Sequence, residues 1–124
     1  ISIRLVGSEM CIRDSPYSKE AVEDLLKKFK NNVSLIKGNS KSVLKKIDMS
    51  KIDYVFLDGG HSYPTVKNDL ECCLDVVLSN GTIMCDDYNF GHLPDVKNAI
   101  DEFVKNNNLN CQIICDGRFA KIEK

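Results

Sequence analysis

The chain has 124 residues, a formal net charge of −1 at pH 7, and 43% hydrophobic and 28% charged residues. This length and composition are typical of one globular domain with a sizeable core. They give no electrostatic support for a nucleic-acid or membrane partner, and no apolar run approaches the ~20 residues that a membrane helix needs. With no signal peptide in view, we expect a cytoplasmic protein.

Residues 1–15 do not follow one pattern. Residues 1–6 alternate like a short strand, whereas residues 7–15 fit no helical or strand periodicity. The stretch resembles translated adapter sequence, which recurs at the ends of open reading frames from metagenomes. We therefore expect residues 1–15 to be a non-native leader before a partial domain at residues 16–124, with the native N-terminal part lost. The alternative is a genuine irregular terminus.

The next elements are a helix, a strand and a short helix. Ser15 and Pro16 suit a helix start, and Val33–Lys37 is predicted to be a strand that ends at Gly38. The following short helix would turn Val43, Leu44 and Ile47 inward. The first helix has one apolar stripe, made of Ala21, Val22, Leu25, Leu26 and Phe29.

A run of strand formers at residues 54–57 then ends abruptly in Asp58-Gly59-Gly60-His61. Because these four residues do not alternate with polar ones, they predict a strand that is buried on both faces. A helix should begin near Pro64, and Ser79-Asn80-Gly81 should form a turn into a strand at residues 82–85. The inward face of that helix is predicted to be Val66, Leu70, Cys73, Leu74 and Val77.

The last elements are a helix and a hairpin. Pro94 opens a helix that Asn106-Asn107-Asn108 ends, and Asp116-Gly117 separates two apolar runs, which is a strong hairpin signal. The inward helix positions are Val96, Ala99, Ile100, Phe103 and Val104. Alternating helices and strands of this kind predict an α/β fold with a mostly parallel sheet and a C-terminal antiparallel hairpin.

The six cysteines include no C-x-x-C pair, so the spacing typical of a zinc site is absent. We expect buried free thiols, as in a cytosolic protein.

Two predicted strands end in acidic residues. Asp58 follows the first, with His61 close behind, and Asp86 and Asp87 follow the second. Because open α/β sheets bind ligands beyond the carboxyl ends of their strands, we expect these side chains to lie along one rim. Oxygen ligands alone would favour Mg²⁺, Mn²⁺ or Ca²⁺ over zinc or copper.

Four segments together resemble a known family: DYVFLDGGHSY (residues 53–63), LSNGTI (78–83), DDY (86–88) and VKNAIDEF (96–103). They look like the C-terminal half of a class I S-adenosylmethionine-dependent methyltransferase. They are most similar to the group with an Asp-Gly-Asp-His-Ser signature and to metal-dependent O-methyltransferases that modify sugars of macrolide and aminocoumarin antibiotics.

The resemblance implies a Rossmann-like methyltransferase sheet whose first two strands are missing. Those strands normally carry the glycine-rich loop and the ribose-binding acid, and the chain contains no G-x-G-x-x-G. We therefore expect the chain alone to be inactive and to bind S-adenosylmethionine weakly or not at all. With the gap, Val33–Lys37 is expected to pair directly with residues 54–57. The alternative is that residues 1–6 fill a vacant strand position.

The resemblance also implies roles for individual residues. S-adenosylmethionine would contact Asn39, Ser40, Asp58, Gly59 and His61. A divalent cation such as Mg²⁺ would be held by Asp58, Asp86 and Asp87, and His61 would act as base beside Asp58 in methyl transfer to a hydroxyl of a small molecule or sugar. Gly60 stands where the family often has a second acid.

Each role has a plainer alternative. Asn39 would be a simple turn residue, and His61 would be a helix-capping or structural histidine. Asp58 would touch only the cofactor, while Asp86 and Asp87 would cap a loop without holding metal. For the whole protein, the other classes are a metal-dependent α/β hydrolase and an incomplete module without catalysis.

Overall fold

The computed structural model describes residues 3–7, 19–46, 52–89, 91–92 and 94–124. It divides the chain into two compact units, Ile1–Ile47 and Asp48–Lys124. None of the helices in these described ranges is long and apolar enough to cross a membrane.

The first unit is built on two parallel strands. Strand β1 (Ile3–Gly7) pairs with β2 (Val33–Lys37), with Ile3 opposite Val33. Helix α1 (Lys19–Leu26) continues as a 3₁₀ turn (Lys27–Phe29), and a short helix α2 (Ser40–Val43) follows β2. The predicted inward stripe of α1 is wrong at Leu25 and Phe29, which are 73% and 56% exposed.

The expected pairing of Val33–Lys37 with residues 54–57 is wrong. Among the described strands, β2 pairs only with β1, and residues 54–57 belong to a separate four-stranded sheet. Strands that follow one another in the chain are usually neighbours, and β1 is the strand that precedes β2. The alternative, in which the N-terminal stretch supplies a strand, is the arrangement observed.

The second unit contains the larger sheet. Its strand order is β3-β4-β6-β5, with β3 and β4 parallel and the remaining pairs antiparallel. This confirms the α/β class and the C-terminal hairpin. The elements are β3 (Ile52–Leu57), α3 (Tyr63–Val76), β4 (Val77–Cys85), α4 (Pro94–Asn107), β5 (Asn110–Ile114) and β6 (Phe119–Glu123).

The core lies between one face of this sheet and helices α3 and α4. Its largest fully buried side chains are Leu70, Ile83, Ile100 and Ile122. The predicted inward face of α4 is confirmed, since Val96, Ala99, Ile100 and Phe103 are buried. The predicted face of α3 is confirmed at Leu70 and Cys73, which are buried, and at Val66 and Leu74, which pack against the core. It is wrong at Val77, which is buried but begins β4 because the helix ends at Val76.

Strand β3 is buried on one face only, so the prediction of two buried faces is wrong. Val55 and Leu57 pack against the core, whereas Tyr54 and Phe56 are 53% and 50% exposed. Successive side chains of a strand point to opposite faces, and β3 is an end strand of its sheet. Phe56 contacts Phe119 across the open face, with ring centroids 6.2 Å apart.

The predicted turn at residues 79–81 lies inside β4 as an irregularity of the ladder. Ile52 is opposite Val77 and Tyr54 is opposite Thr82, so two steps along β3 are matched by five along β4. The glycine signal therefore marks a bulge, as isolated glycines in strands often do.

The hairpin turn lies against the loop that follows β4. The amide of Tyr88 donates to the Arg118 carbonyl (2.9 Å), and the amide of Asn89 donates to the Gly117 carbonyl (3.0 Å). Gly117 has a φ of +90°, and a Cβ there would lie 2.7 Å from Asn89 Nδ2. Both the backbone conformation and the close approach therefore require glycine.

Four of the described cysteines are free thiols, as predicted: Cys73, Cys85, Cys111 and Cys115. Cys73 and Cys85 are buried, and burial raises the pKa of the Cys73 thiol to about 12. Cys115 departs from the expectation of burial, because it lies exposed in the hairpin turn.

Candidate functional site

The ends of β3 and β4 bring the predicted rim residues together. Leu57 and Cys85 are partners in the parallel ladder, so Asp58 and Asp86 each follow the last paired residue. The amide of Asp86 donates to the Leu57 carbonyl (2.9 Å) and extends the ladder by one bond. One cleft is lined by Leu57, Asp58, Gly59, Gly60, His61, Val66, Asp69, Cys85, Asp86, Asp87 and Val96.

His61 and Asp87 form a direct contact within this cleft. The distance from His61 Nε2 to Asp87 Oδ2 is 2.8 Å, and the two side chains are 42% and 21% exposed. Asp87 adopts a left-handed backbone conformation with a φ of 60°, which aspartate tolerates better than most residues. The N-cap of α3 is Ser62, so the structure does not give His61 the capping role that we kept as its alternative.

Asp86 forms a bidentate ion pair with Arg118. Nε of Arg118 donates to Oδ1 (3.0 Å), Nη2 donates to Oδ2 (3.1 Å), and the Asp87 amide also donates to Oδ1 (2.7 Å). The side chain of Asp86 is 6% exposed and that of Arg118 is 63% exposed. The Arg118 hydrogen bonds, with the Asp87 amide, hold the pKa of Asp86 below its ordinary value although burial opposes them.

Sequence reasoning missed Arg118. The residue lies in the hairpin turn, far from the rim along the chain, and no local motif singles it out. The contact follows from the antiparallel register of β4 and β6, which only the structure shows. Because Cys85 is opposite Ala120, the residues just before β6 must lie beside the residues just after β4.

The three acids do not fit a metal ion as they are arranged. No group of three or more histidine, cysteine or acidic side chains that could hold a metal occurs in the described ranges, which include Asp58, Asp86 and Asp87. Both carboxylate oxygens of Asp86 already accept hydrogen bonds from Arg118. Mg²⁺ would need oxygens at about 2.0–2.1 Å in octahedral geometry.

The predicted cofactor residues fall in both units. Asp58, Gly59 and His61 line the cleft of the second unit. Asn39 and Ser40 lie in the first unit, where Asn39 caps α2 and its Oδ1 accepts from the Lys41 amide (2.9 Å). This contact supports the plainer interpretation of Asn39 as a turn residue, and its contact with S-adenosylmethionine stays a prediction.

Two tyrosines near the cleft are bound to α4. Tyr63 Oη donates to Glu102 (2.6 Å) and Tyr88 Oη donates to Asp101 (2.7 Å). Burial, and then the bond to Asp101, raises the pKa of Tyr88 to about 12. These hydroxyls therefore tie the elements around the rim to the helix behind it.

A model of the methyltransferase domain family matches residues 4–88, which is more than half of the chain. The chain belongs to this methyltransferase domain family. The match includes Asp58, His61, Asp86 and Asp87, and it ends before Arg118.

Solved structures of O-methyltransferases share the fold. The O-methyltransferase NovP has a TM-score of 0.73 at 21% identity, over 86% of this chain and 45% of that one. CalS11, a TDP-rhamnose 3'-O-methyltransferase of calicheamicin biosynthesis, has a TM-score of 0.73 at 14% identity, over 97% of this chain and 57% of that one. TomG from Streptomyces achromogenes, solved with S-adenosylmethionine, has a TM-score of 0.66 at 12% identity, over 98% of this chain and 61% of that one.

These identities establish the likeness of the fold alone. The methyltransferase domain of this chain spans about half to two thirds of the length of those three structures. A further match, from Clostridium thermocellum, is named as an rRNA methylase (TM-score 0.66, 21% identity). Among curated proteins, none matches the chain.

Proposed function

We propose that the protein containing this methyltransferase domain transfers the methyl group of S-adenosylmethionine to a hydroxyl of a small molecule or sugar. The observation that carries the proposal is the 2.8 Å contact between His61 and Asp87, in a cleft that Asp58 also lines. Membership of the family supports methyl transfer, and the fold shared with O-methyltransferases is consistent with an oxygen acceptor.

His61 is the proposed general base. Transfer to a hydroxyl requires loss of one proton, and histidine titrates near neutral pH. With its Nε2 hydrogen directed at Asp87, the basic nitrogen of His61 is Nδ1. The Asp87 carboxylate then orients the ring and stabilises the imidazolium that forms, as the carboxylate does in other catalytic histidine–carboxylate pairs.

The cofactor supplies an electrophilic methyl group on a sulfonium. Asp58 and Gly59 would contact it in the cleft of the second unit. The exposed carboxylate of Asp58 suits a positively charged ligand. A divalent cation is left out of the proposal, because the rim acids do not fit one as they are arranged.

The base assignment is tested by His61→Gln in the parent protein, meaning the longer protein that we expect to contain this chain. A general base contributes about 10²–10⁴-fold, so kcat for radiolabelled methyl transfer should fall by at least about 100-fold. His92→Gln is the matched control, since His92 is exposed and does not line the cleft. Equal turnover of the His61 variant and the wild type would remove His61 from the mechanism.

Asp58 is tested in the same assay. Asp58→Ala should abolish transfer with an unchanged circular dichroism spectrum, because an exposed residue after a strand contributes little packing. Undiminished turnover would refute its role.

Cofactor binding by the 124-residue chain is tested by calorimetric titration with S-adenosylmethionine. We expect no binding at micromolar concentrations, because the chain has no G-x-G-x-x-G segment. Micromolar affinity would contradict this account of the site.

The proposed acceptor is a small molecule, since the net charge of −1 and the acidic rim offer little attraction to a polyanion. RNA is the competing acceptor, on the strength of the Clostridium thermocellum match. Methylation of total rRNA by the parent protein, in the absence of a small hydroxylated acceptor, would favour RNA.

A further inference from the structure

The rim concentrates negative charge at one end of the second unit. Asp58, Asp86 and Asp87 line the same cleft. Like charges that share one cleft repel one another, so positive charge close to the rim stabilises it.

Arg118 provides that positive charge. Its guanidinium holds both oxygens of Asp86, and its pKa is raised, first by those hydrogen bonds and the charge of Asp86, then by Asp87 and Asp58. Arginine stays protonated at all ordinary pH values and matches a carboxylate in bidentate geometry. The guanidinium therefore contacts Asp86 directly, and its charge attracts Asp87 and Asp58 over a longer distance.

We propose that Arg118 takes the place of a divalent cation at this rim, and that the site needs no bound metal ion. The inference concerns the site of the proposed function, but it states which positive charge the rim uses rather than which reaction occurs. The inference rests on two facts. The residue types match a metal-binding set, but the acids are not arranged to hold a metal and Asp86 is already paired with Arg118.

The geometry of Asp86 excludes a cation while Arg118 is in place. Oδ1 accepts two hydrogen bonds, from the Asp87 amide and from Arg118 Nε, and Oδ2 accepts one from Nη2. The carboxylate is 6% exposed, so there is little room for an ion and its water ligands. An approaching cation would also face the fixed charge of the guanidinium.

The backbone fixes Arg118 in this position. Its carbonyl accepts from the Tyr88 amide (2.9 Å) and its own amide donates to the Cys115 carbonyl (3.1 Å). The guanidinium also lies 5.0 Å from the ring centroid of Phe119, within the range of a cation–π contact. The hairpin turn thus presents the charge to the rim without relying on a flexible side chain alone.

The decisive experiment is a calorimetric titration of the 124-residue chain with Mn²⁺. The wild type should bind no Mn²⁺ at the rim. Arg118→Ala should expose the three acids and bind one Mn²⁺ at least tenfold more tightly than the detection limit at which the wild type shows no binding, and adding Asp86→Asn should abolish that binding. Arg118→Lys keeps the charge and, like the wild type, should show no Mn²⁺ binding at the rim.

Lys121→Ala is the matched control. It removes a positive charge from β6, the strand that directly follows Arg118. Lys121 pairs there with Glu123 and not with the rim, so the substitution should leave Mn²⁺ binding unchanged. Circular dichroism establishes that each variant is folded. If Arg118→Ala does not fold, Arg118→Gln, which keeps a long polar side chain, replaces it in the titration.

Two results would overturn the proposal. One is a wild type that binds one Mn²⁺ and loses it on Asp86→Asn. The other is a folded Arg118 variant without charge that gains no affinity. Because the titration measures metal binding and not activity, its result can be interpreted even if the proposed methyl transfer is not found. In an active parent protein, EDTA should leave the turnover unchanged.

Discussion

Loss of the ion pair between Asp86 and Arg118 is expected to destabilise the second unit by about 2 kcal/mol. Unit charges 4 Å apart attract by about 1 kcal/mol in water and about 4 kcal/mol at an effective dielectric constant near 20. Asp86 is 6% exposed, which favours the upper figure, but Arg118 is 63% exposed, so solvent screening reduces it. Two charge-assisted hydrogen bonds at 3.0 and 3.1 Å are consistent with a value between these limits.

A double-mutant cycle isolates this energy. Among the described residues, Arg118→Ala leaves the nearly buried Asp86 carboxylate with the Asp87 amide as its hydrogen-bond donor, so it should be more harmful alone than in the presence of Asp86→Asn. Urea unfolding, followed by circular dichroism at pH 7, gives the free energy of unfolding of the wild type, both single variants and the double variant. A coupling energy below about 0.5 kcal/mol would refute the reasoning.

The pH dependence of the cycle has a definite sign. The pKa of Asp86 is lowered in the folded state, so the pair contributes its full stability above the ordinary carboxyl pKa of about 3.9 and loses it as the pH falls through the lowered value. The coupling energy should therefore be constant from pH 5 to pH 8 and shrink as the pH falls below the ordinary carboxyl pKa. A coupling that grows on acidification would contradict the assignment of the charged form to Asp86.

Three further predictions concern stability and reactivity. Gly117→Ala should lower the free energy of unfolding by about 1–3 kcal/mol, because φ is +90° and its Cβ would be too close to a neighbour; Gly91→Ala, with a φ of +30° and nothing within 4 Å, should cost less. Leu70→Ala should lower the free energy of unfolding by about 2–5 kcal/mol, because Leu70 is fully buried. Leu25→Ala should lower it by less than about 0.5 kcal/mol, because Leu25 is 73% exposed. Urea unfolding measures both. In a chain that carries Cys11→Ser, Cys115→Ser should abolish the fastest phase of thiol labelling by a disulfide reagent at pH 8, since the other described cysteines are buried or half-buried; an unchanged fast phase would contradict the exposure of Cys115.

The order of helices and strands in the second unit followed from local signals. The 3.6-residue apolar period of α4 and the Asp116-Gly117 turn each act within a few residues, so they can be read along the chain. The convergence of Asp58, His61, Asp86 and Asp87 was also predicted, since the carboxyl ends of parallel neighbouring strands meet at one edge. The roles of these residues in catalysis stay predictions.

The environment of β3 was not predictable in the same way. An unbroken apolar run says that a strand suits a buried position, but whether each face is covered depends on the elements that pack on it. Val55 has such a cover and Tyr54 does not. Likewise β2 has more than one conceivable partner from sequence, and the observed one, β1, lies in a stretch whose composition resembles a foreign leader.

The sequence by itself determined the fold class, the family and the group of acids at the rim, because local patterns and short motifs encode them. The tertiary structure alone decided what those acids contact. Arg118 reaches Asp86 across 32 positions of the chain through the antiparallel register of β4 and β6. Hydrogen bonding and charge depend on distance in space, and the register that sets this distance is a property of the folded sheet rather than of any single segment.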